Sequence, residues 1–146
     1  MSKKSDIAVK KFLAGYNCAQ AVLYPFCDDL GLDKDTALKL TCGLGAGMAR
    51  MQEVCGAVTG GIIALGLKNG RGDGQDKVST EETYRRVREL MLQFVSKHGS
   101  CTCRELLKGC GLDTASGQQY YKDNDLLNKI CKCCVQTVVE TLEEIL

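Results

Sequence analysis

The sequence predicts an all-α fold: a compact, single-domain bundle of six or seven helices. Apolar residues recur at helical spacing along the chain, and no convincing apolar–polar alternation marks a strand. Helix-starting and helix-stopping residues punctuate that spacing. The 146 residues, 45% of them apolar, suffice for one buried core, and no internal repeat or composition shift separates a second domain within residues 1–146.

Taken in order, residues 5–14 are expected as a first helix closed by Gly15. Asn17 caps a second helix over 18–30, with Gln20 in the reciprocal capping position. Pro25 should kink or divide that segment, and Gly31 ends it. Asp33 caps a third helix over 34–42. The run from Gly43 to Met48 reads as a close-packing turn. It resembles a phosphate loop only loosely, because no strand precedes it and no Lys-Ser/Thr follows.

A fourth helix is expected over 52–67. It carries Gly56, Ala57, Gly60, Gly61 and Ala64, small residues at helical spacing. Each helical glycine costs about 1 kcal/mol relative to alanine, so another helix or a ligand must approach this backbone closely. That partner can come from the same chain or from a second copy in a homodimer. Lys68 to Gln75 is a glycine-rich surface loop. Ser79 with Glu82 reads as a capping box opening a long helix over 80–98, whose apolar face includes Phe94 and His98, with Gly99 at its end. Thr102 with Glu105 reads as a second capping box, opening 103–109. Residues 111–124 are expected as a polar surface loop. Asp125 starts the last helix, which runs to Leu146 with Cys131 and Cys134 on its inward stripe.

Lys plus Arg number 19 and Asp plus Glu 18, a net charge of +1. This balance offers no electrostatic reason to expect nucleic acid or an anionic membrane as a partner. No apolar run approaches the ~18–20 residues of a membrane span. The opening stretch Met1 to Asp6 is polar and leads directly into a helical pattern, so no secretory h-region is expected and the chain is placed in the cytoplasm.

Ten cysteines in such a chain point to metal binding or redox chemistry rather than to a disulfide scaffold. The single histidine, His98, excludes sites that need two imidazoles, and the absence of Cys-x-x-Cys-His excludes c-type haem attachment. Cys18 and Cys103 each follow an N-cap residue. There the helix end should favour the thiolate and lower the thiol pKa. Cys55 directly precedes Gly56-Ala57-Val58-Thr59-Gly60, so its sulfur borders the small-residue face. Cys131 and Cys134 form a Cys-x-x-Cys pair. Without a preceding strand it is not a thioredoxin-type site, and core packing accounts for it equally well. Cys27 and Cys42 read as core residues, while Cys101, Cys110 and Cys133 are left without a role. His98 reads as a packed core histidine rather than a base beside Cys103. Arg50 and Glu53 read as an i, i+3 pair on a helix surface.

These residues resemble a small redox-active protein family labelled C-GCAxxG-C-C. The matching pieces are Gly15 to Val22 with Asn17-Cys18-Ala19-Gln20-Ala21 at their centre; Gly47-Met48 with Arg50; Glu53 to Gly60; Cys103-Arg104-Glu105-Leu106-Leu107; and Cys131 with Val135. Where the label is written Gly-Cys-Ala, this chain reads Cys55-Gly56-Ala57. The resemblance implies that Cys18, Cys55, Cys103 and Cys131 are the family cysteines and that their role is redox. Cys101, Cys133 and Cys134 adjoin those positions.

Three readings follow. The four cysteines hold an iron–sulfur cluster for electron transfer or redox sensing, with Gly56 and Gly60 giving the bound group room. Alternatively, they carry out thiol–disulfide chemistry of an oxidoreductase type, with Cys18 or Cys103 attacking and Cys55 or Cys131 resolving. Third, they form a structural Cys₄ zinc site. The first two need a redox partner that the sequence does not name. All three need thiols far apart in sequence to meet in one cavity.

Overall fold

The computed structural model describes residues 2–146; Met1 lies outside the described residues. Ser2 accepts the Ser5 N–H at 3.1 Å and opens α1 (Lys3–Leu13). Asn17 opens α2 (Cys18–Leu23) through the reciprocal capping box with Gln20, both bonds being 2.9 Å. Pro25 divides the next segment as expected: a 3₁₀ turn (Tyr24–Phe26) separates α2 from α3 (Cys27–Leu30), and Gly31 stops α3 in a left-handed conformation. Asp33 caps α4 (Lys34–Thr41).

A 3₁₀ turn (Cys42–Leu44) leads into α5 (Gly45–Met48), a helix in hydrogen bonding only. Ala46, Gly47, Met48, Ala49 and Arg50 all have φ between 53° and 69°, five consecutive left-handed residues. Each non-glycine residue held there costs about 1–2 kcal/mol, so the surrounding structure must impose the turn. It does so through close packing. A Cβ on Gly45 would lie 2.5 Å from the Asn17 side-chain nitrogen, and one on Gly47 would lie 2.6 Å from the Gln52 Cα.

The fourth expected helix starts later than its residue pattern suggests, as α6 (Gly56–Asn69). Residues 53–55 are drawn instead into a short antiparallel clip with residues 101–103. The Cys55 N–H donates to Cys101 O, and the Cys103 N–H donates to Glu53 O, both at 2.7 Å. Arg50 and Glu53 therefore do not share a helix surface, and no ion pair joins them among the described residues.

The long helix α7 (Val78–His98) ends at left-handed Gly99. Neither expected capping box beyond α2 forms. Lys77, not Ser79, occupies the N-cap of α7. Glu82 instead pairs with Arg85 and Arg86, at 2.7 and 2.8 Å. Those guanidinium groups, Arg85 foremost, hold its carboxyl down at about 2. Thr102 does precede α8 (Cys103–Leu106), but its side chain makes no capping bond.

The expected loop over 111–124 contains α9 (Ala115–Asp123), opened by the Thr114 hydroxyl accepting the Gly117 N–H. Its only local warning was that N-cap, because its faces are otherwise polar. The last helix begins as a π-helical turn (Leu127–Cys131) and continues as α10 (Lys132–Ile145).

α6 lies at the centre, against α2, α7 and α10, and this explains why it is apolar on every side. Leu23, Leu65, Leu90, Phe94 and Leu142 are fully buried around it. The glycines of α6 are contact points. A Cβ on Gly60 would sit 2.7 Å from Ala19 O, and one on Gly61 would sit 2.8 Å from a Val138 methyl. Replacing Gly60 with valine should force α2 and α6 apart. The expected loss is about 2–3 kcal/mol of folding stability, measured by chemical denaturation, despite valine's better helix propensity.

Candidate functional site

Three helices begin beside one another at one end of α6. Cys18 is the first residue of α2, Cys55 the N-cap of α6, and Cys103 the first residue of α8. Their meeting follows from two contacts already described. The α2–α6 crossing is so close that a Cβ on Gly56 would lie 2.5 Å from Cys18 Sγ. The clip between 53–55 and 101–103 then ties the start of α8 to the start of α6.

The fourth sulfur arrives by another route. In a regular α-helix each residue advances 100°, whereas the π turn over Leu127–Cys131 widens the spiral just before Cys131. Cys131 ends up on the same cavity wall as the other three.

The cavity has a volume of about 260 Å³ and is partly open to the surface. Cys18, Cys55, Cys103, Cys131 and Cys134 all line it, together with Phe12, Leu106, Leu107 and Ile130. Cys55 and Cys103 are only 7% and 8% exposed, while Cys18 and Cys131 keep partial exposure toward the opening. Arg50 from the left-handed turn and Gln118, Tyr121 and Lys122 from α9 complete the walls. Gly56 borders the cavity. Gly60 does not; it lies one turn further along α6, where it admits the Ala19 backbone.

The electrostatics run against the expectation for cysteines at helix starts. The Cys18 thiol is pushed well above its ordinary range by its hydrogen bond with Cys55, then by burial. Cys55 is pushed up as well, first by its hydrogen bond with Cys134. Burial, reinforced by the neighbouring Cys18, pushes Cys103 up to about 11, and burial pushes Cys131 up to about 12. The helix ends are present, but desolvation and mutual repulsion of four sulfurs outweigh them.

Each of the four sulfurs nevertheless has a neighbouring N–H or O–H group that favours its anionic form. The Ala46 N–H and its own N–H serve Cys18, the Ala57 N–H serves Cys55, the Gln52 side chain serves Cys103, and the Tyr121 hydroxyl serves Cys131. Gln52 is itself buried and braced, donating to Cys110 O at 2.7 Å and accepting the Leu112 N–H at 2.8 Å. Tyr121 donates to Cys131 Sγ at 3.3 Å. Burial and the Cys131 sulfur hold the Tyr121 phenol far above its usual range, so it is a donor throughout the accessible pH range.

The remaining cysteines do not line the cavity. Cys27 is core as expected, but Cys42 is exposed, because its 3₁₀ turn faces outward. Cys110 donates toward Gly117 O at 3.2 Å, and Cys133 toward Lys129 O at 3.8 Å. His98 stacks on Phe94 with ring centroids 4.6 Å apart and is hydrogen-bonded to Thr137 at 2.8 Å, away from Cys103. Sequence reasoning missed Gln52 and Tyr121, and left Cys134 without a role. Gln52 gave no local signal, and Tyr121 sat in a segment read as a loop.

The sequence pattern of one protein family, described as "Putative redox-active protein (C_GCAxxG_C_C)", matches residues 16–145. The chain belongs to this family. Comparison with curated proteins and with solved structures gave no match. The family's redox designation fits a site built from sulfur, and no helix among the described residues is long and apolar enough to cross a membrane.

Alkylation tests the electrostatics directly. A thiol moved from 9.0 to about 11 carries about a hundredfold less thiolate at pH 8. In metal-free protein under reducing conditions, iodoacetamide should therefore label exposed Cys42 first and Cys103 and Cys131 far more slowly. Site-resolved mass spectrometry reads the order; equal rates would contradict it.

Proposed function

We propose that this member of the redox-active family carries electrons through an iron–sulfur cluster held by Cys18, Cys55, Cys103 and Cys131. The observation that carries the reading is the convergence of these four sulfurs, from four separate elements, on one cavity that opposes thiolate formation, each beside an N–H or O–H group that favours the anion. Groups of this kind beside all four sulfurs favour the state in which the sulfurs are anionic together. Four buried thiolates repel one another, and a cationic iron–sulfide core is the kind of guest that neutralises them.

The donor set fits such a group. Four thiolates are the usual ligand complement, and hydrogen bonds to the sulfurs together with burial are the means by which a protein sets its potential. When bound, the cluster supplies one-electron chemistry. The chain's own residues supply the rest: three helix starts direct their positive ends at the sulfurs, Phe12, Leu106 and Ile130 limit water, and Arg50 and Lys122 place positive charge on the cavity wall. A single zinc ion suits the arrangement less well. Among the described residues, no three His, Cys, Asp or Glu side chains are grouped so as to hold one metal ion.

A second reading is favoured by one specific contact. Cys55 adjoins both Cys18 and Cys134. A Cys18–Cys55 or Cys55–Cys134 pair can lose two electrons and two protons to a disulfide or quinone-type acceptor and form an S–S bond. The raised thiols of Cys18 and Cys55 make them slow attackers at neutral pH, which ranks this reading second.

Anaerobic reconstitution with iron and sulfide separates the two. The wild type should take up both and absorb in the visible. Serine at position 18, 55, 103 or 131 should lower the iron content severalfold, whereas C42S should leave it unchanged. A colourless, iron-free wild type with mapped disulfides at Cys55 would overturn the cluster reading in favour of thiol–disulfide chemistry.

A further inference from the structure

The four sulfur donors are not equivalent. Those to Cys18 and Cys55 are backbone amides, fixed by the starts of α2 and α6 and by the left-handed turn at Ala46. The donor to Cys103, Gln52, is also occupied in holding Cys110 and Leu112, so it doubles as a loop brace. Tyr121 differs. It projects from α9, a helix with no fully buried residue, and commits its hydroxyl proton to Cys131 Sγ at 3.3 Å. Cys131 is in turn placed by the π-helical turn, so the least regular part of the last helix and the one hydroxyl donor meet at the same sulfur.

An O–H donor responds to the electron density on its acceptor. Reduction of a sulfur-ligated centre spreads added charge onto the ligand sulfurs and strengthens a hydrogen bond to them. A donor therefore stabilises the reduced form more than the oxidised form and raises the reduction potential. The effect is greater in surroundings of low polarity, such as the wall formed by Leu106, Leu112 and Ile130.

We propose that Tyr121 is a positioning residue that sets the reduction potential of the group bound through Cys131, by means of its O–H···Sγ hydrogen bond. This rests on the iron–sulfur reading above. Its structural contribution, covering one side of the cavity, belongs to the ring and survives in phenylalanine; its effect on the potential belongs to the hydroxyl.

The experiment is a potentiometric titration of anaerobically reconstituted protein, followed by visible absorption, with iron and sulfide measured on each sample. Y121F should keep the iron and sulfide content of the wild type and show a lower midpoint potential. Site-specific replacement of Tyr121 by 3-fluorotyrosine, a stronger donor of nearly equal size, should shift the midpoint upward. A fully loaded Y121F with the wild-type midpoint overturns this inference and leaves the iron–sulfur reading standing. If Y121F fails to load, the fluorotyrosine protein decides: an upward shift supports the role of the hydroxyl, and no shift overturns it. A wild type that takes up no iron overturns the iron–sulfur reading and this inference with it.

Discussion

The molecule depends on how closely α2 crosses α6. Gly56 and Gly60 remove the two Cβ atoms that would otherwise strike Cys18 Sγ at 2.5 Å and Ala19 O at 2.7 Å. With those atoms absent, the first turn of α2 rests directly on the α6 backbone, and Cys18 and Cys55 become neighbours. Adding a side chain at either position separates two helix starts that the cavity needs side by side. The glycines thus trade helix propensity for backbone proximity, a cost of about 1 kcal/mol each that only a close approach offsets.

Around that crossing, the chain concentrates its irregular backbone. Five consecutive left-handed residues, Ala46 to Arg50, bring the Ala46 N–H to Cys18 and Arg50 to the cavity wall. Gln52 also has a positive φ, yet it is buried and fully hydrogen-bonded. The π turn before Cys131 is the third departure. Lys108 and Asp125 also have positive φ without lining the cavity; elsewhere the helices are ordinary, with side-chain caps at Ser2, Asn17, Asp33 and Thr114. Strained geometry gathered at one cavity, within a scaffold regular enough to hold it, is the distribution expected where sulfur atoms must be placed to within a few tenths of an ångström.

The same cavity sets two effects in opposition. Helix starts and neighbouring N–H and O–H groups favour thiolates, whereas burial and neighbouring sulfurs oppose them, and opposition wins. Thiols shifted in this direction carry little thiolate near neutral pH, and a positive group in the cavity would oppose the shift. That behaviour suits a binding centre better than a nucleophile, because a nucleophile needs its thiolate in advance.

Much of this was legible in the residues themselves. Helical periodicity, the Asn17–Gln20 box, the break at Pro25 and the small-residue face of α6 are local or one-dimensional signals, and each corresponds to a feature of the fold. The position of Cys18 and Cys103 at helix starts was likewise written in the cap residues before them. Tertiary structure alone decided what those positions mean. The clip of 53–55 against 101–103 delays α6, the packing of Gly45 and Gly47 imposes the left-handed turn, and α9 folds over the cavity to bring in Tyr121. The sign of the thiol shifts belongs with these. A helix end acts over one turn and can be read from neighbours in sequence, but desolvation and sulfur–sulfur repulsion depend on groups as far apart in the chain as Cys18 and Cys131, which only the folded chain brings together.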